Sequence, residues 1–254
     1  MNYILDVVSQ EMIANNIFKM IIKDRDEVFI EREFRTPGQF VHVRVNDTTE
    51  HVLRRPISIS EIDRKNNTFT IVYRAEGKGT KEMSKLESGN KIDCLVPLGK
   101  GYVVEPLNHV LIVGGGIGVP PLLELAKQFN EKGVKTTHVL GFRSEKDVFY
   151  EGEFTKYGET FIVTEDGSYG HKGFVTHVIE TLDISRYDKF YACGPKIMLN
   201  VLQNTLPIPG HISLEERMGC GFGACYACVC EKYDGTRVKL CTEGPVFEKG
   251  EIVL

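Results

Sequence analysis

The sequence predicts an α+β multidomain chain, with an antiparallel β-barrel first, an α/β parallel-sheet domain second and a small cysteine-rich module last. Three observations predict it. Residues 1–100 alternate short strand-like runs with turn signals. Past Lys100 the pattern becomes strand followed by helix, the mark of a parallel sheet. Five of the seven cysteines then fall within residues 219–241. The expected boundaries are 1–100, 101–210 and 211–254, and 254 residues suffice for two domains with proper cores plus a module.

Composition narrows the class. An apolar fraction of 42% and a charged fraction of 26% are ordinary for a globular chain in water. A net charge of −4 gives no pull toward nucleic acid or an anionic membrane surface. The N-terminus lacks a basic segment followed by an apolar stretch, so no signal peptide is expected. The most apolar run, residues 110–123, is interrupted by glycines and prolines and is too short to span a bilayer. An odd number of clustered cysteines is poor arithmetic for disulfides. Reduced thiols without an export signal point to a cytoplasmic protein with no nucleic-acid and no membrane partner.

In the first hundred residues, strands are expected near 17–22, 40–45, 57–62, 69–73 and 91–96, with turns at Thr36-Pro37-Gly38-Gln39 and Lys65-Asn66-Asn67. Two stretches there go beyond barrel chemistry. Arg54-Arg55-Pro56-Ile57-Ser58 can present a charged fork to a phosphate and a hydroxyl to a ring nitrogen. Gly77-Lys78-Gly79-Thr80 opens a short helix expected over residues 81–86, with Thr80 as its N-cap and an anion-binding end. Each alone is also an ordinary strand entry or turn. Their order, upstream of a nucleotide-type fold, is what suggests a ligand.

The middle hundred residues open with an apolar strand near 109–113. It runs into Gly114-Gly115-Gly116-Ile117-Gly118-Val119-Pro120-Pro121 and a helix that Gly133 ends. Further strands are expected near 136–142, 160–163 and 189–192, with helices near 173–181 and 195–206. The glycine turn is not a Rossmann fingerprint, because Val119 stands where the third glycine belongs. It still offers backbone amides to a pyrophosphate. Cys193-Gly194-Pro195 follows a strand directly, at the carboxyl end where open α/β sheets place ligands. A free cysteine there is also an ordinary small buried residue.

The last module carries the sharpest signal. Cys220, Cys225 and Cys228 have the spacing C-x4-C-x2-C, and Cys241 follows after twelve residues. That is the plant-ferredoxin type of ligand run for a 2Fe–2S cluster. Asp234-Gly235 reads as a two-residue hairpin turn. On that register Cys228 lies opposite Cys241, and Cys230 opposite Lys239 as a bystander. A structural zinc site also uses four cysteines, usually as two C-x2-C pairs, and remains the alternative.

Several of these residues together resemble a known family. Pro37-Gly38-Gln39-Phe40, Arg55-Pro56-Ile57-Ser58, Val72-Tyr73-Arg74, Gly79-Thr80, Gly115-Gly116-x-Gly118-x-x-Pro121, Cys193-Gly194-Pro195 and the run from Met218 to Cys228 cover essentially the whole chain. They resemble the ferredoxin reductase-like flavoproteins, and within them the electron-transfer subunits of NAD-dependent (class 1B) dihydroorotate dehydrogenases. The resemblance implies an FAD barrel, an NAD domain and a 2Fe–2S module held by Cys220, Cys225, Cys228 and Cys241. It implies that Arg55, Pro56, Ile57, Ser58, Val72, Tyr73 and Arg74 hold FAD, and that Gly79 and Thr80 cap its pyrophosphate. Gly115, Gly116, Gly118, Cys193, Gly194 and Pro195 would bring nicotinamide to the flavin, with Ser58 and Glu215 lining the same pocket. The implied partner is an FMN-containing dihydroorotate dehydrogenase catalytic subunit, in a two-plus-two heterotetramer.

Two departures bear on this. Val96-Pro97-Leu98-Gly99-Lys100-Gly101 replaces the more usual G-P-L-G-N-G. A related branch, the subunits of sulfide dehydrogenase and NADH-dependent ferredoxin:NADP oxidoreductase, carries aspartate where this chain has Cys220. Glu165-Asp166 would repel a 2′-phosphate, which favours NAD, whereas Arg143 would attract one. The runner-up function is a stand-alone NAD(P)H reductase for a ferredoxin-like or sulfur-compound acceptor. A zinc-stapled nucleotide-binding regulator is the reading from another class.

Overall fold

The computed structural model describes residues 2–23, 30, 34–45 and 52–254. Its first part is a closed antiparallel barrel. The strands are β1 (Asn2–Ala14), β2 (Ile17–Lys23), β3 (Phe40–Arg44), β4 (Arg55–Asp63), β5 (Thr68–Arg74) and, after the short helix α1 (Lys78–Met83), β6 (Lys91–Leu98). They run around the barrel in the order β1-β2-β5-β4-β3-β6, and β1 closes it by pairing with both β2 and β6. β1 has no clean alternation, because its register slips after Val7 and again after Met12. Elsewhere alternation sorts the faces. Val41, Val43, Ile57, Ile59, Phe69 and Ile71 fill the interior. Phe40 and Val72 point outward, into the cores of the rest of the chain.

The second part is a seven-stranded sheet. Its elements are β7 (His109–Gly115), α2 (Pro121–Glu131), β8 (Lys135–Phe142), α3 (Glu151–Thr155), β9 (Glu159–Thr164), β10 (His171–Lys172), α4 (Val175–Ile179), β11 (Lys189–Cys193), α5 (Lys196–Thr205) and β12 (Gly210–Ser213). The chain finishes with β13 (Val229–Glu231), β14 (Arg237–Lys239), α6 (Leu240–Glu243) and β15 (Val246–Glu248). The order is β10-β9-β8-β7-β11-β12-β15, parallel except that β15 runs antiparallel to β12. Residues 110–113 have no accessible surface. Val110 and Ile112 pack under Leu122 and Phe129 of α2, while Leu111 and Val113 pack against Val178 of α4 and Leu199 of α5. Burial on both faces explains the continuous apolar run.

α2 is also stapled to the barrel. The buried Glu124 carboxylate accepts from the Ile62 N–H of β4 at 3.0 Å and from Gln128 Nε2 at 2.8 Å. Lys127 Nζ donates to the Ile62 carbonyl at 2.8 Å. Among the described residues no helix is long and apolar enough to cross a membrane.

Two local expectations are corrected. α1 begins at Lys78, so Thr80 lies inside the first turn and is not the N-cap. From there its Oγ1 accepts the Gly77 N–H at 3.2 Å, satisfying an end amide from within. The C-terminal hairpin is shifted by one residue: Val229 pairs with Lys239 and Cys230 with Val238. The Lys232 N–H bonds the Thr236 carbonyl, leaving a three-residue loop that ends on Gly235 at φ +82°.

Candidate functional site

The cysteine loop leaves β12 and returns at β13. Gly221 and Gly223 have φ of +80° and +88°, a conformation that glycine adopts at little cost and that lets the loop curl back on itself. The Cys220 and Cys225 amides each donate to the other's Sγ, at 3.4 and 3.3 Å. Burial pushes the Cys220 thiol up, but the N–H groups of Cys225, Phe222 and Ala224 outweigh it and bring the pKa down to about 6. Such donors favour thiolate.

The hairpin shift puts Leu240, not Cys241, opposite Cys228, where the Leu240 N–H bonds the Cys228 carbonyl at 2.9 Å. Cys241 follows in α6, and its buried thiol meets that of Cys228. Burial first, then that contact, raises the Cys241 pKa. The charge of Cys220 is felt there too. Cys230 is buried in β13, separate from these contacts.

Among the described residues no three His, Cys, Asp or Glu side chains converge as the ligands of one ion would. The thiols instead form two touching pairs, Cys220 with Cys225 and Cys228 with Cys241. Two thiolates on each of two irons is what a 2Fe–2S cluster requires, so the donor set fits that group. Lys239 braces the loop, donating from Nζ to the Gly223 carbonyl at 2.5 Å and lying 4.6 Å from the Tyr226 ring centre.

The loop rests on the outer face of β3. Phe40 packs in the same core as Cys228 and Cys241. His42 is fully buried beneath Gly221, where a Cβ would overlap its Nδ1. Across the ladder His42 pairs with Pro56 and Phe40 with Ser58, so the cysteine loop adjoins the Arg55–Ser58 stretch of β4.

Along this barrel rim the expected residues meet in pairs. The Arg55 guanidinium lies over Gly79, where a Cβ would come within 2.6–2.8 Å of Nη2, Nε and Cζ. Its Nη1 donates to the Leu53 carbonyl. Arg74 reaches Glu76 at 3.2 Å and points Nη2 toward Gly116, while its Nε is buried with no hydrogen-bond partner among the described residues. An arginine fork against a glycine and an orphaned guanidinium N–H fit a bound anion such as a flavin pyrophosphate. Ser58 is half-buried on β4, opposite Phe40 of β3. The Tyr73 and Ile57 side chains are not brought to this rim. Tyr73 donates to Gln10 Oε1 at 2.7 Å, and Ile57 fills the barrel core.

On the nucleotide side, a Cβ at Gly118 would lie 2.5 Å from the Cys193 carbonyl carbon and the Gly194 nitrogen, and one at Gly115 would lie 2.9 Å from Pro195. The glycine turn is thus seated against Cys193-Gly194-Pro195. Burial, then the nearby Glu215 charge, pushes the Cys193 thiol far up, so it is neutral. Glu215 keeps solvent access yet is ringed by protein, and that burial raises its carboxyl above the usual range. Arg143, Glu165 and Asp166 gather at the ends of β8 and β9. Sequence reasoning missed His42, whose alternation with Val41 and Val43 was the available signal. It also missed the buried Glu124.

A protein from Fusobacterium nucleatum named "Dihydroorotate dehydrogenase B (NAD(+)), electron transfer subunit" is 55% identical over 249 residues, 94% of each chain. One of the same name from Lysinibacillus sphaericus is 52% identical over 255 residues, 98% of this chain and 97% of the other. The chain belongs to this family of electron transfer subunits. The family model described as "Iron-sulfur cluster binding domain of dihydroorotate dehydrogenase B" matches residues 215–253, which include all four paired thiols. The "Oxidoreductase NAD-binding domain" matches residues 112–204. A solved structure described as an NADH-dependent reduced ferredoxin-NADP oxidoreductase aligns with a TM-score of 0.88 at 29% identity, over 98% of this chain and 89% of that one. A ferredoxin NADP+ reductase from Neisseria gonorrhoeae shares the fold, with a TM-score of 0.65 at 12% identity, over 81% of this electron transfer subunit and 90% of the reductase.

Proposed function

We propose that this chain is the electron-transfer subunit of an NAD-dependent dihydroorotate dehydrogenase, carrying FAD and a 2Fe–2S cluster. Dihydroorotate would lose two electrons and two protons at an FMN on a separate catalytic subunit, and NAD+ would leave this chain as NADH. The observation that carries the reading is the placement of two contacting thiol pairs on the outer face of β3, one strand from Arg55–Ser58. When bound, the flavin exchanges a hydride with nicotinamide and single electrons with the cluster.

The chain's own residues do the positioning. Cys220, Cys225, Cys228 and Cys241 hold the irons, and Lys239 braces their loop. Arg55 and Arg74 neutralise the FAD pyrophosphate beside Gly79 and Thr80, with Pro56, Val72 and the backbone of Ile57 and Tyr73 shaping the rim. Ser58 directs its hydroxyl at the flavin ring. Gly115, Gly116 and Gly118 give the dinucleotide close backbone approach, and Gly194 and Pro195 complete that wall. Cys193 and Glu215, one a neutral thiol and the other an acid with a raised pKa, flank the place where nicotinamide meets flavin. Residues 1–100, 101–210 and 211–254 form the flavin, nicotinamide and cluster units. β15, which adds to the sheet of the second unit, fixes the third in place. A cytoplasmic two-plus-two heterotetramer and a preference for NAD belong to the same reading.

Anaerobic mixing with the FMN-containing subunit tests it. NAD+ reduction by dihydroorotate is expected only when both subunits are present. Equal activity of the catalytic subunit alone, or none in the mixture, would reject the assignment. The likeness to the ferredoxin-NADP oxidoreductase supplies the second reading, a reductase for a ferredoxin-like acceptor, for which reduction of such an acceptor by NADH without the FMN-containing subunit is the test.

A further inference from the structure

We propose that His42 donates a ring N–H to a sulfur of the cluster held by Cys220, Cys225, Cys228 and Cys241. It is then a positioning residue that seats the cluster loop on the barrel and raises the cluster's reduction potential. The inference rests on the cluster assignment above and extends it to a residue outside the cysteine module.

Three observations converge on this ring. It has no accessible surface, and among the described residues neither Nδ1 nor Nε2 has a partner in hydrogen-bond geometry. A buried polar group left so costs about 1–3 kcal/mol, so an unmet donor marks a place where something else binds. The ring lies directly beneath Gly221, whose missing side chain makes room for it. The carbonyls of Cys220 and Arg54 lie near the ring as competing acceptors, and neither meets hydrogen-bond geometry. Other buried unpaired atoms have different settings: the His138 ring already bonds Thr160 Oγ1 at 2.9 Å, and Tyr191 and His211 stack on each other.

A neutral imidazole always carries one N–H. The acceptors it lacks are what a cluster supplies at this position, since thiolate and sulfide sulfurs are electron-rich. Hydrogen bonds to those sulfurs favour the more negative, reduced state and raise the potential. His42 also pairs with Pro56 across the β3–β4 ladder, so this residue stands between the cluster loop and the strand assigned to the flavin.

Redox titration of the anaerobically purified full-length protein, read by EPR of the reduced cluster, tests this. His42→Leu is expected to shift the cluster potential negative while flavin content is kept. His42→Gln, which retains an N–H, should restore part of the shift, as a merely space-filling role would not. A fully loaded His42→Leu protein with an unchanged potential overturns the proposal. Should His42→Leu fail to load, wild-type protein labelled with 15N-histidine decides. Pulsed EPR of its reduced cluster should show weak coupling to a non-ligand ring nitrogen, and absence of that coupling overturns the proposal. Wild-type protein without any cluster signal would instead sink the underlying assignment.

Discussion

Arg55 shows how one side chain ties two motifs together. It leaves β4 and lies over Gly79, twenty-four positions on, joining two stretches that are each commonplace alone into the pyrophosphate cradle proposed above. Hydrogen bonds to a charged group contribute about 1.5–3 kcal/mol, so Arg55→Ala should weaken FAD retention roughly ten- to a hundredfold, measured by flavin release on dilution. His138 makes a different prediction. Burial lowers its pKa from 6.5 to about 3. The unfolded chain therefore binds a proton between those values that the folded one refuses, and its contribution to stability, complete above pH 6.5, is lost as pH falls toward 3. The loss is on the order of 4 kcal/mol across the window. His138→Gln should accordingly flatten the fall in thermal midpoint between pH 6.5 and 5 relative to wild type. The four cysteines that pair in the loop stood out in the sequence because their spacing is a local pattern that needs no partner. His42 was not, because its meaning comes from Gly221, far away in sequence.

At the scale of elements, the glycine turn and the strand end beyond β11 act as one piece. The atoms that a Cβ at Gly118 would strike belong to the backbone of Cys193 and Gly194, which cannot rotate aside. Gly118→Ala should cost about 1–3 kcal/mol by overpacking and raise the Kd for NADH, checked by thermal unfolding and by nucleotide titration. Strand and helix assignments in this half followed from continuous apolar runs and helix-stop signals, which are strong where both sheet faces are covered. The C-terminal hairpin was legible in kind but not in register. Asp-Gly serves a two-residue or a three-residue turn equally well, and here Asp234 caps the loop by accepting the Thr236 N–H at 2.9 Å. α6 then absorbs the one-residue slip and turns the Cys241 thiol back to Cys228. The bulged β1 left no alternation from which the barrel's closing strand could be read.

In the whole molecule, the outer face of the barrel is where everything meets. β3 seats the cysteine loop, β4 and β5 carry the arginine rim, and Arg74 reaches the glycine turn of the second sheet. β15 returns the chain end to that sheet beside β12, a closure that three residues of strand could not announce in the sequence. The succession of barrel, parallel sheet and cysteine module was legible because each has its own period and composition. Their mutual packing was not, since Phe40, Glu124 and His42 look like routine strand and helix residues until the neighbouring part is present. The central claim is that two thiol pairs hold two irons on this face. Iron, acid-labile sulfide, zinc and flavin should be measured on anaerobically purified wild-type, Cys241→Ser and Cys230→Ser proteins. Wild type and Cys230→Ser are predicted to carry iron and sulfide in equal amounts beside flavin, and Cys241→Ser to keep flavin while losing both. Zinc in place of iron in the wild type, or iron loss from Cys230→Ser as complete as from Cys241→Ser, would contradict it.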